Sequence, residues 1–246
     1  MSINSIYRLR PINEKTIEEI TQPYLWFSKP MGFRDKQDSN IQSFFDNCDI
    51  LKDALEAYLT KEGIEYLYSL MKHVGVCCFT QELPSKMQRK FFPNATNTIC
   101  VEYNRLMLEE FFLKSKYALA NCFKTVEYYK NPTVFKKDGE YHIITQDDKS
   151  GVRSESVKSI FYNERILDNF FWKLLTRIDN KFKNQKELRI VLAGRNITNI
   201  DDQVLGYKVE IKQETINAIY IYPNTEKSFV EKLQRTEEIA SKLFFL

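Results

Sequence analysis

Two periods organise the apolar positions of this chain. Short runs alternate or stay apolar for five to seven residues, as strands do. Longer stretches repeat every three or four residues, as amphipathic helices do. Ile3 to Leu9 reads as a strand stopped by Pro11. Asn13 then caps a helix whose first turns carry Glu14, Glu18 and Glu19, and Pro23 ends it. Tyr24 to Ser28 is a second strand, closed by Lys29-Pro30. Met31 to Asp35 is a loop in which Gly32 permits an unusual backbone conformation. From about 38 to 73 a helical insertion is expected, with Ile41, Phe44, Phe45, Leu51, Leu55, Leu59, Ile64, Leu67 and Leu70 on its apolar stripe and a break at Gly63. Val74 to Thr80 is nearly all apolar, which predicts a buried strand.

The second half continues in the same way. Pro84 to Phe92 suggests a short basic helix, Thr98 to Tyr103 a strand, and Arg105 to Lys114 a helix with Leu106 and Phe112 inward. Ala118 to Tyr129 reads as one long strand. Asp138-Gly139 between two β-rich runs is a hairpin signal. Ser154 opens a long helix expected to run to about Asn180. The segment from Phe182 to Gly194 enters the core as a strand, with Gln185, Glu187 and Arg189 at period two and so on one face. Asp201 and Asp202 are placed in a loop. Tyr207 to Lys212 and Ala218 to Tyr222 are strands, and Glu226 to Leu243 a closing helix. Strands and helices mix in no βαβ order. The expected fold is therefore α+β, one domain over 1–246, with mostly antiparallel strands.

Composition narrows the function. The chain has 246 residues, 43% hydrophobic and 14% aromatic, enough for a sizeable core. Its 36 basic and 33 acidic residues leave a net charge of +3, too balanced to argue for nucleic-acid or membrane binding. No apolar run approaches a membrane span and the N-terminus lacks a signal-peptide pattern, so the sequence predicts a cytoplasmic protein. The cysteines at 48, 77, 78, 100 and 122 form neither a disulfide framework nor a zinc spacing, and no metal is expected. His73 and His142 read as structural residues. No nucleotide-loop, zinc-protease or hydrolase-elbow motif is present.

The order of short motifs is more specific. Tyr7-Arg-Leu-Arg10, Leu25-Trp-Phe-Ser-Lys-Pro-Met-Gly-Phe-Arg-Asp35, Val76-Cys-Cys-Phe-Thr80, Thr98-Ile-Cys-Val-Glu-Tyr-Asn104, Val126-Glu-Tyr128 and Gln185-Lys-Glu-Leu-Arg189 resemble the bacterial family catalogued as domain of unknown function 2971. The loop Asn of that pattern is Arg34 here. Its Trp-x-x-Tyr block reads Arg89-Lys-Phe-Phe92, and its first late Glu is Gln185. The same skeleton is similar to ADP-ribosyltransferases of the Arg-Ser-Glu class.

That resemblance implies roles. Tyr7, Arg8 and Arg10 would bind NAD, the arginines as forks of donors to its pyrophosphate. Trp26, Phe27 or Phe33 would stack on nicotinamide. Ser28 would position Glu187, and Glu187 would stabilise the oxocarbenium-like transition state as the catalytic acid residue. Gln185 would orient an acceptor, either protein or nucleic acid. NAD enters as substrate, in a bacterial or phage system of defence or toxin type.

The sequence carries two competing readings. One is a non-catalytic nucleotide- or protein-binding module in phage defence or counter-defence; its mark would be a cleft with no deeply placed Glu187, and Arg8 paired to a structural acid. The other is single-strand nucleic-acid handling, from Arg89-Lys90-Phe91-Phe92 and Lys136-Lys137. The Leu243-Phe-Phe-Leu246 tail allows a homodimer. On the residues alone, the bland reading of Glu187 is an ion pair across the sheet with a Lys or Arg.

Overall fold

The computed structural model describes residues 4–30, 33, 73–85, 97–114, 122–129, 134–148, 151–156, 175–193, 201–203 and 205–246. Of the helical insertion expected at 38–73 and the basic helix expected over Pro84 to Phe92, residues 38–72 and 86–92 lie outside them, as does the stretch 157–174; His73, Pro84 and Ser85 are described and are not helical.

In chain order the strands are β1 (Ser5–Pro11), β2 (Tyr24–Ser28), β3 (Val74–Thr80), β4 (Thr98–Asn104), β5 (Phe123–Thr125), β6 (Glu127–Tyr129), β7 (Val134–Lys137), β8 (Glu140–Asp148), β9 (Gly151–Ser156), β10 (Arg177–Asp179), β11 (Glu187–Ala193), β12 (Asp201–Gln203), β13 (Gly206–Glu210), β14 (Ile216–Ile221) and β15 (Leu243–Phe245). The described α-helices are α1 (Glu14–Thr21), α2 (Arg105–Lys114), α3 (Lys227–Gln234) and α4 (Glu237–Ala240). The fold is α+β, with a mixed, mostly antiparallel open sheet and helices packed around it.

The sheet has ten strands and forks at β3. One edge of β3 pairs with β11 over its whole length, from Glu187↔Thr80 to Ala193↔Val74. The other edge is shared. Near its end Thr80 faces Tyr7 of β1, and further back Val76 faces Ser28 of β2. The β1 branch continues to β4, β14 and β15, and the β2 branch to β13 and β12. Side chains of paired residues share a face, so this register decides which groups can meet.

One face is the core. Ile6, Phe79, Ile99, Val101, Tyr103, Leu188, Ile190 and Ile219 lie on it, against Ile20 of α1, Leu108 and Phe112 of α2, Leu233 of α3 and Ile239 of α4. Helices α1 and α2 form where the pattern predicts. Asn13 caps α1 by accepting from the Thr16 N–H at 2.9 Å, and β2 and α2 keep the predicted bounds. The Asp138-Gly139 turn takes φ of 50° and 85°, the doubly left-handed geometry of a tight hairpin, joining β7 to β8.

Several expectations are corrected. Leu106 is 53% exposed; Leu108 and Phe112 are the buried residues of α2. Ser154 to Ser156 belong to strand β9, completing a three-stranded meander, and Arg177 to Asp179 form β10, so no single helix runs from 154 to 180. The strand expected over Ala118 to Tyr129 is two short ones, interrupted at Val126. Asp201 and Asp202 start strand β12. The single closing helix expected over Glu226 to Leu243 is two, α3 and α4, ending at Ala240, and the tail pairs in parallel with β14 as an edge strand.

Candidate functional site

The geometry centres on a single row of residues across five strands. Glu187 on β11 faces Thr80 on β3, Thr80 faces Tyr7 on β1, Tyr7 faces Glu102 on β4, and Glu102 faces Ala218 on β14. All point away from the helical core. Thr80, rather than Ser28, is thus the hydroxyl residue beside Glu187. Ser28 lies on the same face but opposite Val76, four residues along β3, roughly 13 Å away at ordinary strand rise.

The position of Glu187 is fixed from several sides. The 3-10 turn Asn180–Gln185 delivers the chain to Lys186, whose φ of 45° is left-handed. That reversal starts β11 at Glu187 itself. It also takes Gln185 out of the strand, so Gln185, Glu187 and Arg189 do not form the expected period-two row. The Glu187 N–H donates to the Tyr128 hydroxyl at 2.7 Å, and its carbonyl accepts from the Val126 N–H at 3.0 Å. The Gln81 N–H donates to the Lys186 carbonyl, tying β3 to the same corner.

Arg189 is the largest fully buried side chain among the described residues. Its Nε donates to Glu187 Oε1 at 2.7 Å and its Nη1 to the Leu175 carbonyl at 2.8 Å. An ion pair is therefore present, but it runs along the strand at i, i+2 and not across the sheet as expected. It holds Glu187 in a fixed rotamer. Burial pushes the Tyr128 hydroxyl up to about 12, which keeps it a neutral partner for the Glu187 backbone.

Arg8 and Arg10 are on the other face. Strand alternation turns them into the core, where Arg8 lies over the Phe79 ring at 5.9 Å. Arg8 Nη1 donates to Glu19 Oε1 at 2.8 Å and Nη2 to the Trp26 carbonyl at 3.2 Å, bridging the fork between β1 and β2. Arg10 Nη2 lies 2.5 Å from Glu19 Oε2. Glu19 is 1% exposed, so both arginines are spent on one buried structural acid. Burial, and then the adjacent Arg8 charge, lower the Arg10 pKa against the pull of Glu19. The Cys77 thiol in the same cluster is pushed up to about 11 by burial.

The aromatic candidates separate as well. Phe27 is fully buried, edge-on to Phe112 at 5.7 Å, and is a core residue. Trp26 is half-buried and packs its indole on Gly206, where an added Cβ would meet Trp26 Cε2 at 2.8 Å. Phe33 is half-buried in the turn after β2, its N–H donating to Pro30 O. Only Tyr7 of the proposed NAD-contacting residues shares the Glu187 row. Lys124 on β5, opposite Arg189, is a cation that the register adds to this face.

Sequence reasoning missed Thr80, Tyr128 and Lys124. Thr80 and Tyr128 each end one of the short motifs, but what they do depends on strand pairing. Among the described residues, no group of three or more His, Cys, Asp or Glu is arranged to hold a metal, and no helix is long and apolar enough to cross a membrane. Compared with protein-family models, curated proteins and solved structures, the chain matches none.

Proposed function

We propose that the chain handles NAD in the manner of an ADP-ribosyltransferase, with Glu187 as its catalytic acid residue. The observation that supports this is the Tyr7–Thr80–Glu187 row: an aromatic ring, a hydroxyl and an oriented carboxylate on one sheet face. Cleavage breaks the bond between nicotinamide and ribose. Nicotinamide leaves with the bonding electrons, and the ribose carbon gains positive charge. A fixed carboxylate stabilises that charge, and an acceptor nucleophile or water then forms the new bond. Thr80 takes the positioning role first given to Ser28. Tyr7 offers the ring for nicotinamide. Lys124 is the phosphate partner on this face, in place of Arg8 and Arg10.

The test is NAD consumption and label transfer from NAD by purified protein with lysate, in wild type, Glu187→Gln and Thr80→Val. Turnover in wild type that drops about 10²–10³-fold in Glu187→Gln is expected. Unchanged turnover in a folded Glu187→Gln protein would falsify the assignment. Melting curves are needed alongside, because Glu187 also neutralises buried Arg189.

A second reading has an observation of its own. Arg8 and Arg10 both serve Glu19, which is one of the two marks of a non-catalytic nucleotide- or protein-binding module. In that case NAD is not consumed by any variant, and pull-down from phage-infected cells is the experiment that identifies the partner.

A further inference from the structure

The open face of the β1 branch carries a carboxylate in an aromatic frame. Ser5 Oγ donates to Glu102 Oε1 at 2.6 Å, and the Tyr220 hydroxyl donates to Glu102 Oε2 at 2.6 Å. Asn217 Nδ2 lies 3.4 Å from Oε1. The Tyr7 and Tyr220 rings are 6.4 Å apart, and Phe244 follows at 5.7 Å from Tyr220. Tyr7, Glu102 and Tyr220 are half-buried, and Phe244 is 51% exposed. The hydrogen bonds fix the carboxylate but add no charge. Among the described residues, no Lys, Arg or His pairs with Glu102.

A half-buried negative charge without a cation is costly, whereas three flanking ring faces attract cations. We propose that this surface binds an arginine side chain of a polypeptide partner. The choice rests on charge complementarity and shape. A planar guanidinium stacks on tyrosine and phenylalanine faces while its N–H fork reaches a carboxylate, which a compact ammonium does less well. Phe244 on the exposed edge strand extends the apolar border on which a peptide backbone can lie. Glu102 is three strand spacings from Glu187, about 14 Å, with Tyr7 between them on the row, so the subsite borders the proposed chemistry through that one shared ring, while its carboxylate, Tyr220 and Phe244 do not depend on it.

The test titrates ¹⁵N-labelled protein with acetyl-Gly-Arg-Gly-amide, with the same peptide carrying citrulline, and with guanidinium chloride. The arginine peptide is expected to shift the amides of Tyr7, Glu102, Tyr220 and Phe244. Citrulline, isosteric but neutral, is expected to bind at least tenfold more weakly, and Glu102→Gln to weaken the arginine peptide by a similar factor. Equal binding of arginine and citrulline peptides, or unchanged binding by folded Glu102→Gln, overturns the proposal. So does guanidinium chloride binding as tightly as the peptide, since the occupant is then a small cation. If Glu102→Gln proves unstable, Phe244→Ala at the exposed rim replaces it, with the same expected weakening.

Discussion

The two faces of the forked sheet hold ion pairs of the same kind for different ends. On the core face Glu19 ties α1 to Arg8 and Arg10, and through the Trp26 carbonyl to β2. On the opposite face Arg189 holds Glu187 in a row that continues through Thr80 to a half-buried tyrosine. Tyr7 and Arg8 are neighbours in sequence, yet one belongs to each face. The residue type did not decide which face each arginine and its acid serve; the parity of the position in its strand did.

Glu19→Ala gives the largest expected effect. It leaves two arginines buried without their acid, which should cost about 3–5 kcal/mol in denaturant unfolding. A loss below about 1 kcal/mol would mean that the cluster is solvated and the contrast between faces is false. Next comes Arg189. Arg189→Leu alone strands the Glu187 carboxylate, and the double variant Glu187→Leu, Arg189→Leu should recover a large part of the loss, since replacing both partners of a buried pair by apolar groups is often neutral. A double variant as unstable as the sum of the singles would show that the two do not act as a pair.

Parity also explains how much the sequence told. Strands β2 and β3, helices α1 and α2 and the Asp138-Gly139 hairpin follow from local pattern and turn chemistry. Ser154 to Ser156 and the tail Leu243 to Phe245 did not, because a short amphipathic run suits a strand or a helix until a neighbour fixes it. Glu187 was legible as a strand residue beside Arg189. Its partner was not: Thr80 and Ser28 are both hydroxyls near strand ends, and only pairing of β3 with β11 on one edge and two strands on the other separates them. Gln185 was misplaced because nothing in Lys-Asn-Gln-Lys announces a left-handed lysine.

Smaller effects sharpen the contrast. Cys77 and Tyr128 rise from ordinary values of 9.0 and 10.0 to about 11 and about 12. The folded protein keeps these protons at a pH where the unfolded chain releases them. Their contribution to stability is complete below about pH 9 and falls as pH rises from there to about 12, so the melting temperature should decline over that window. Cys77→Ser and Tyr128→Phe should flatten it; an unchanged slope in both would place the loss elsewhere. The smallest effect is at Lys186. Glycine accepts a φ of 45° without strain, so Lys186→Gly should stabilise by up to about 1 kcal/mol, reduced by the exposed contact with Glu82. A clear destabilisation would argue against the left-handed turn that aims Glu187.

The fork has a consequence for how this chain tolerates editing. Ser28, where β2 ends, and Val76, just inside β3, are ladder partners. The two ends of residues 29–73 therefore emerge side by side, like the posts of a gate. A segment attached at two touching points can change length at little entropic cost, since closure grows only slowly with loop size. The sheet asks of that connection only that its two ends meet at this pair.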